Sequence, residues 1–341
     1  MQPLSTGSLA FSEALLRLGA PLELVERTMR DQLESVSPLI GTLGEHVLAS
    51  GGKRMRPALL LLCAEMCGYT GPRRVDVAAA VELLHTATLL HDDVVDVSNL
   101  RRGQPSANAL WGNRRAVLGG DFLYARACSL IVEDGDADNL WLFAESIRRL
   151  SEGELLQLER SFDPSITEAH YFAVIEAKSA ALLECACECG AILGGVTRAE
   201  RRKLVEFGRE LGLAFQLRDD ALDYEAGGTD ALGKRPLGDL REGKVTLPLL
   251  LTLKRCDVAE RDSIEGYLKA VAEPRSAPGE DAEPEIADVL RAVRRYRGIE
   301  DTMRRAEEHA TRAATAIAAF PESDAKRDLL SAAEFSFVRD H

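Results

Sequence analysis

The stretch Val81-Glu82-Leu83-Leu84-His85-Thr86-Ala87-Thr88-Leu89-Leu90-His91-Asp92-Asp93-Val94-Val95-Asp96 ends a long apolar run of helical periodicity in three aspartates. A second run closes the same way, with Asp219-Asp220-Ala221-Leu222-Asp223 beginning 127 residues further on (219 minus 92). Carboxylates four residues apart share one helix face, where like charges cost roughly 0.2–0.5 kcal/mol per pair and burial costs far more. Something cationic has to offset that. Oxygen ligands without partnering Cys or His suit Mg²⁺, which is commonly shared between carboxylates, waters and substrate phosphates. The doubled motif therefore predicts a phosphate-bearing substrate held between two aspartate-rich helices.

Outward from these runs, apolar residues recur at helical spacing almost everywhere, and period-2 alternation bounded by turn residues is scarce. The chain reads as an all-α, single-domain helical bundle spanning 1–341, with no strand required. Helices are expected near 8–18, 21–35, 37–49, 57–67, 74–98, 113–134, 137–161, 167–193, 198–225, 244–271, 284–318 and 323–338. Those within 1–35 are expected to be peripheral. Val75 to Leu90 and Ala177 to Leu193 are apolar over wide arcs and belong at the centre of the bundle. Pro21 and Pro57 suit first turns, and Thr197 to Glu200 and Ser165 to Glu168 have the capping-box form. The Pro-, Glu- and Ala-rich segment 273–284 reads as a solvated loop.

A net charge of −13 excludes nucleic acid as a natural partner and repels anions at long range, so any phosphate must be held by local metal ions and bases. The first thirty residues hold Glu13, Glu23 and Glu26 among their apolar positions and have no secretion-signal form. Val245 to Leu253, the longest uncharged apolar run of note, is far short of the roughly 20 residues a membrane span needs. A cytoplasmic protein is expected. The seven cysteines sit among Leu, Ala and Met, as small buried hydrophobes do. Cys185, Cys187 and Cys189 look metal-like, but a spacing of two puts helical neighbours on different faces, so packing is the better reading.

Bases gather around the aspartates. Gly51-Gly52-Lys53-Arg54-Met55-Arg56-Pro57 sets two glycines and three bases before a helix start, where backbone amides already favour anions. Arg101-Arg102 follows the first aspartate helix. Gln216 precedes Asp219, and Lys234 and Lys244 lie beyond the second cluster. Lys178 stands alone in an apolar helix and is expected to meet an anion, with an ion pair to an internal carboxylate as the alternative. His85 lies two turns before Asp92, on its face. Glu82 and His85 also form one Glu-x-x-His unit of a di-iron bundle, but the chain holds no second unit.

Taken together these residues resemble the trans-polyprenyl diphosphate synthase family, in particular its long-chain bacterial members of the octaprenyl to decaprenyl type. The ordered carriers are Gly51 to Pro57, Leu84 to Asp96, Arg101-Arg102-Gly103, Gly120-Asp121-Phe122, Lys178-Ser179-Ala180, Gln216 to Asp220 and Gly243 to Pro248. The resemblance implies that Lys53, Arg56, His85 and Arg102 hold isopentenyl diphosphate. It implies that Arg101, Lys178, Ser179, Gln216, Lys234 and Lys244 contact an allylic diphosphate. Asp92, Asp96 and Asp219 would ligate Mg²⁺, three ions per site, with Asp93, Asp220 and Asp223 in support. Ser179 stands where Thr is usual, but the hydroxyl is kept. The implied activity is successive condensation to an octaprenyl-to-decaprenyl diphosphate, a quinone side-chain precursor. A homodimer and transient contact with a membrane surface are implied as well. A non-catalytic subunit of a heteromeric synthase and a class I terpene cyclase are the competing readings. The first usually lacks an aspartate motif, and the second typically carries Asn and Ser or Thr in its second metal motif.

The tail of the growing product should run past Ala87 and Thr88, one turn before Asp92. Both are small where short-chain members carry an aromatic residue. The floor is then set deeper, by Cys128, Leu130 or Ile131 on the next helix. Ala87→Tyr is expected to shorten the product to a few isoprene units; unchanged chain length by mass spectrometry would refute the channel.

Overall fold

The computed structural model describes residues 6–49, 51–52, 54–225, 237–272 and 286–338. Lys53, Lys234 and the segment 273–284 lie outside them. The described residues form α1 (Thr6–Arg17), α2 (Gly19–Asp31), α3 (Pro38–Ala49), α4 (Met55–Met66), α5 (Arg73–Val95), α6 (Ala107–Trp111), α7 (Asn113–Asp134), α8 (Ala137–Glu159), α9 (Glu168–Ile175), α10 (Ala181–Leu193) and α11 (Arg198–Glu225). They continue with α12 (Gly238–Arg241), α13 (Leu247–Leu253), α14 (Val258–Ala272), α15 (Ile286–Arg295), α16 (Gly298–Ala316) and α17 (Asp324–Val338).

The centre is α5 and α10, as their wide apolar arcs predict, together with α4. Ala58 to Ala64 in α4 and Val77 to Leu84 in α5 are buried without interruption, so these segments are surrounded on all sides. The N-terminal helices, expected at the periphery, are tied into this core: Phe11 and Met29 are buried, and Phe11 stacks on Phe335 of α17 with ring centroids 5.1 Å apart. A second apolar cluster gathers α13 to α16 against the far half of α11. Cys185, Cys187 and Cys189 are buried as free thiols in α10, in keeping with a packing role.

Several expected boundaries move, each for a local reason. After Val95 the chain leaves the helix and makes a two-residue antiparallel ladder, β1 (Leu100–Arg101) against β2 (Gln104–Pro105). Arg102 and Gly103 at its tip both have positive φ, as a tight hairpin turn requires. The expected helix over 167–193 is interrupted by a π turn at Glu176–Ala180. Thr197 and Glu200 form the reciprocal capping box. At the other predicted box the cap is Thr167, whose Oγ1 accepts from His170 N at 3.1 Å. Glu168 cannot reach back there, because Lys254 and Arg305 hold its carboxylate. Asp257 and Glu260 cap the start of α14 and so split the expected helix over 244–271. Arg297, in the left-handed region, separates α15 from α16.

Buried Glu210 fastens α16 to α11. It accepts from His309 Nδ1 and Arg312 Nε, each at 2.7 Å. Burial alone would raise this carboxyl, but the two hydrogen bonds outweigh it and hold the group at about 2. The group titrates lower folded than unfolded. Its stabilisation is therefore complete above the ordinary glutamate range and is lost as pH falls from about 4.5 towards 2. Glu210→Gln is expected to cost about 2–4 kcal/mol near neutral pH, with the difference from wild type shrinking at acid pH; urea denaturation across that range reads it.

Candidate active site

Two cavities lie on either side of the C-terminal end of α5. The first is basic, bounded by His85, Glu82 and Asp93 of α5, by Gly51 and Arg54 of the loop before α4, and by Arg101 and Arg102 of the hairpin. The two loops touch. A Cβ at Gly52 would stand 2.7 Å from Arg102 Nη1, so a side chain here would displace the Arg102 guanidinium. Arg54 adopts a left-handed conformation (φ 46°) and bonds Glu82 at 3.1 Å, Glu26 at 3.3 Å and Leu48 O at 3.1 Å. Arg56 is also enclosed. Burial lowers its guanidinium pKa, Glu82 opposes the shift, and its Nε has no partner. Burial, then Arg56 and Arg102, push His85 far below the usual histidine range. His85 is therefore neutral, with one N–H to donate and one nitrogen to accept.

The second cavity is bounded by Lys178 and Ser179 of the π turn, Tyr171 of α9, Gln216 and Asp220 of α11, and Asp239, Gly243 and Lys244. A hydrogen-bonded chain runs through it. Ser179 Oγ donates to Gln216 Oε1 at 2.6 Å, Gln216 Nε2 to Asp220 Oδ1 at 2.7 Å, and Tyr171 Oη to Asp220 Oδ2 at 2.5 Å. Asp223 accepts the amides of Gly238 and Asp239, fixing the start of α12. Lys244 then reaches Glu242 at 2.5 Å and Asp96 of the first cluster at 3.3 Å. Burial opposes the Lys244 charge, but Asp239, Glu242 and Asp96 raise its pKa. The π turn is pressed from two sides. A Cβ at Gly153 would lie 2.9 Å from Lys178 N, and one at Gly212 would lie 2.5 Å from Ala180 Cα.

The carboxylates carry surplus charge. Burial drives Asp92 up to about 6, with Lys178 opposing and Glu154 and Asp96 adding to the shift. Burial and Asp239 drive Asp220 to about 8, against the bonds from Tyr171 and Gln216. An all-oxygen set whose charged form is penalised by burial fits a hard divalent cation such as Mg²⁺ or Ca²⁺, which would stabilise the carboxylates. Among the described residues no three acidic, His or Cys side chains converge on one point, so an ion would complete its shell with water and ligand oxygens.

Several expected contacts are made internally. Arg101 clasps buried Asp93 at 2.5 and 2.8 Å. Lys178 pairs with Glu154 of α8, the internal carboxylate that was its alternative partner. Sequence reasoning missed Glu154, Tyr171 and Asp239. Glu154 sits in an acidic run beside Gly153, whereas Tyr171 and Asp239 carry no local signal.

Ala87 is buried and Thr88 partly so, its Oγ1 bonded to His85 O. α7 runs antiparallel to α5, with His91 near Val117 and Asp121 at one end and Arg73 on Asp134 at the other. Ala87 lies about 6 Å below His91, and Cys128 about 10 Å below Asp121, so Cys128, Leu130 and Ile131 are level with deeper turns of α5. Leu130 and Ile131 are buried, and Cys128 is half-buried beside Tyr124.

The polyprenyl synthetase family model matches residues 37–278, which include both aspartate clusters and both cavities. The chain belongs to the polyprenyl synthetase family. It is 40% identical to the octaprenyl diphosphate synthase of Escherichia coli over 93% of this chain and 95% of that protein. The structure of a polyprenyl synthase from Caulobacter crescentus, complexed with calcium and isoprenyl diphosphate, superposes with a TM-score of 0.91 at 39% identity, covering 99% of each chain. A decaprenyl diphosphate synthase from Rhodobacter capsulatus superposes at 0.89 with 34% identity, covering 97% of this chain and all of that one. The all-α architecture is shared.

Gly52→Val is expected to push Arg102 off the base-lined cavity. Binding of inorganic pyrophosphate in the presence of a metal chelator, read by calorimetry, should weaken about tenfold with little change in melting temperature.

Proposed function

We infer that the protein is a long-chain trans-prenyltransferase that condenses an allylic diphosphate with successive isopentenyl diphosphates. Its product falls in the octaprenyl-to-decaprenyl range and supplies a quinone side chain. The observation that carries this reading is a cavity rich in arginine and histidine together with a second that sets Lys178 and Lys244 beside Asp220 and Asp239, which supports separate berths for two diphosphates. The similarity to synthases of octaprenyl and decaprenyl diphosphate supports the product range.

In this reading Lys53, Arg56, His85 and Arg102 hold isopentenyl diphosphate. Arg101, Lys178, Ser179, Gln216, Lys234 and Lys244 take the allylic diphosphate, and Asp92, Asp96 and Asp219 hold Mg²⁺, three ions per site. The ions supply charge stabilisation for the departing diphosphate. Lys178, Lys244 and Arg101 add their own, each exchanging an internal carboxylate for the ligand. Neutral His85 donates to the isopentenyl diphosphate without adding a further charge among the arginines. The allylic cation is captured by the neighbouring double bond. The departed diphosphate accepts the proton that restores an alkene, because it is fixed nearby and no side-chain base is needed. Buried Ala87 and the apolar walls below it exclude water from the cation.

Leu118 and Val132 of α7 and Trp141 and Leu155 of α8 are large apolar side chains left exposed, which a second copy of the chain would cover in a homodimer. Among the described residues no helix is long and apolar enough to cross a membrane, so the proposed cytoplasmic enzyme would hand its product over by contact with a membrane surface. The intact second aspartate cluster, with Asp220 and Asp223 both engaged, favours elongation over cyclisation or a non-catalytic subunit.

Purified protein incubated with Mg²⁺, labelled isopentenyl diphosphate and farnesyl diphosphate should give linear products of eight to ten isoprene units, the range the notion of a deep channel predicts. A cyclic hydrocarbon or no reaction would reject the assignment. Asp92→Ala or Asp219→Ala should lower kcat by about 10²–10³-fold; wild-type turnover in either would remove the metal argument.

A further inference from the structure

The arginine hairpin is held down from outside the aspartate helix. His46, in the last turn of α3, approaches the carbonyl of Pro105 in β2 with its Nε2 at 2.9 Å. A carbonyl oxygen can only accept, so Nε2 carries the proton and donates. Trp111 at the end of α6 packs edge-on against the same ring, centroids 5.2 Å apart. His46 also borders the base-lined cavity together with Arg101, Arg102 and His85. Val97, which leads into the hairpin, is β-branched yet has φ 52°, a strained conformation for such a side chain, so the hairpin's placement is held by contacts made elsewhere along it. The hairpin bounds this cavity on one side, with Arg54, Glu82 and His85 on the other, so its position sets the room left for a diphosphate.

We propose that His46 is a positioning residue for the isopentenyl diphosphate site, a latch that draws the hairpin down so that Arg102 meets the ligand. Arg101 is tied to Asp93, a clasp the proposed reaction must open, and Ser106 bonds Ser98 O and Asn99 O at the hairpin's base and accepts from Leu110 N of α6. The His46 bond ties the arm carrying Gln104 and Pro105 to α3. Without it the closed arrangement is less populated, and apparent affinity falls by that fraction.

The inference rests on the reading of this cavity as the isopentenyl diphosphate site, and the test separates the two. His46→Ala, His46→Gln and Arg102→Ala are compared with wild type for KM towards each substrate and for isopentenyl diphosphate binding by calorimetry. His46→Ala should raise the KM and the dissociation constant for isopentenyl diphosphate about fivefold, the worth of one hydrogen bond, while leaving the KM for the allylic primer in place. His46→Gln, which keeps an N–H donor, should recover most of the loss. If Arg102→Ala weakens isopentenyl diphosphate but His46→Ala does not, the latch is wrong and the site stands. If Arg102→Ala changes neither constant, the reading of the cavity itself fails. An equal rise in both KM values for His46→Ala would mean general loosening and overturn the positioning role.

Discussion

A groove proposed to bind two diphosphates and several cations has to be charged, and charges inside a protein are stable only when something answers them. Here the two signs answer each other within the protein. Arg101 lies on Asp93, Lys178 on Glu154, Lys244 on Asp96 and Glu242, and Arg54 on Glu82. Substrate binding is then an exchange of partners rather than the creation of ion pairs from solvated groups. The bases begin close to their working positions, and little reorganisation is left for the chemical step.

The exchange works because the two halves of the groove are unbalanced in opposite directions. Burial keeps the His85 imidazole neutral, and the arginines around it add to the shift. Burial also lifts Asp92 and Asp220, with Glu154 and Asp96 adding at the first and Asp239 at the second. In the proposed reading, a chain of net charge −13 meets its two anionic head groups through local balance rather than through its overall field.

The helical class and the aspartate face were legible because period 3.6 and the i, i+4 spacing are local properties of the chain. The central places of Val75 to Leu90 and Ala177 to Leu193 were legible for the same reason. Partners were not. Glu154 finds Lys178, and Tyr171 finds Asp220, across separate helices. An internal carboxylate is an open alternative for Lys178 in the sequence, but its position in the chain is not readable, and nothing near Tyr171 announces its contact. The hairpin was missed because its ladder is only two residues long, too short for alternation to register, although Arg102-Gly103 carries the turn. The cap at Thr167 in place of Ser165 was decided by Lys254 and Arg305, which claim Glu168 from distant helices.

The π turn at Glu176–Ala180 inserts one residue into what is otherwise a single rod. Everything before it is rotated by roughly 100° relative to everything after it. Tyr171 can therefore face the aspartates of α11 while the cysteines of α10 face inward. Excising one residue here would rewind the rod perfectly and yet swing Tyr171 out of reach, so a shorter chain with smoother geometry would be the poorer enzyme. At this point the molecule keeps an irregularity because regularity would point its side chains the wrong way.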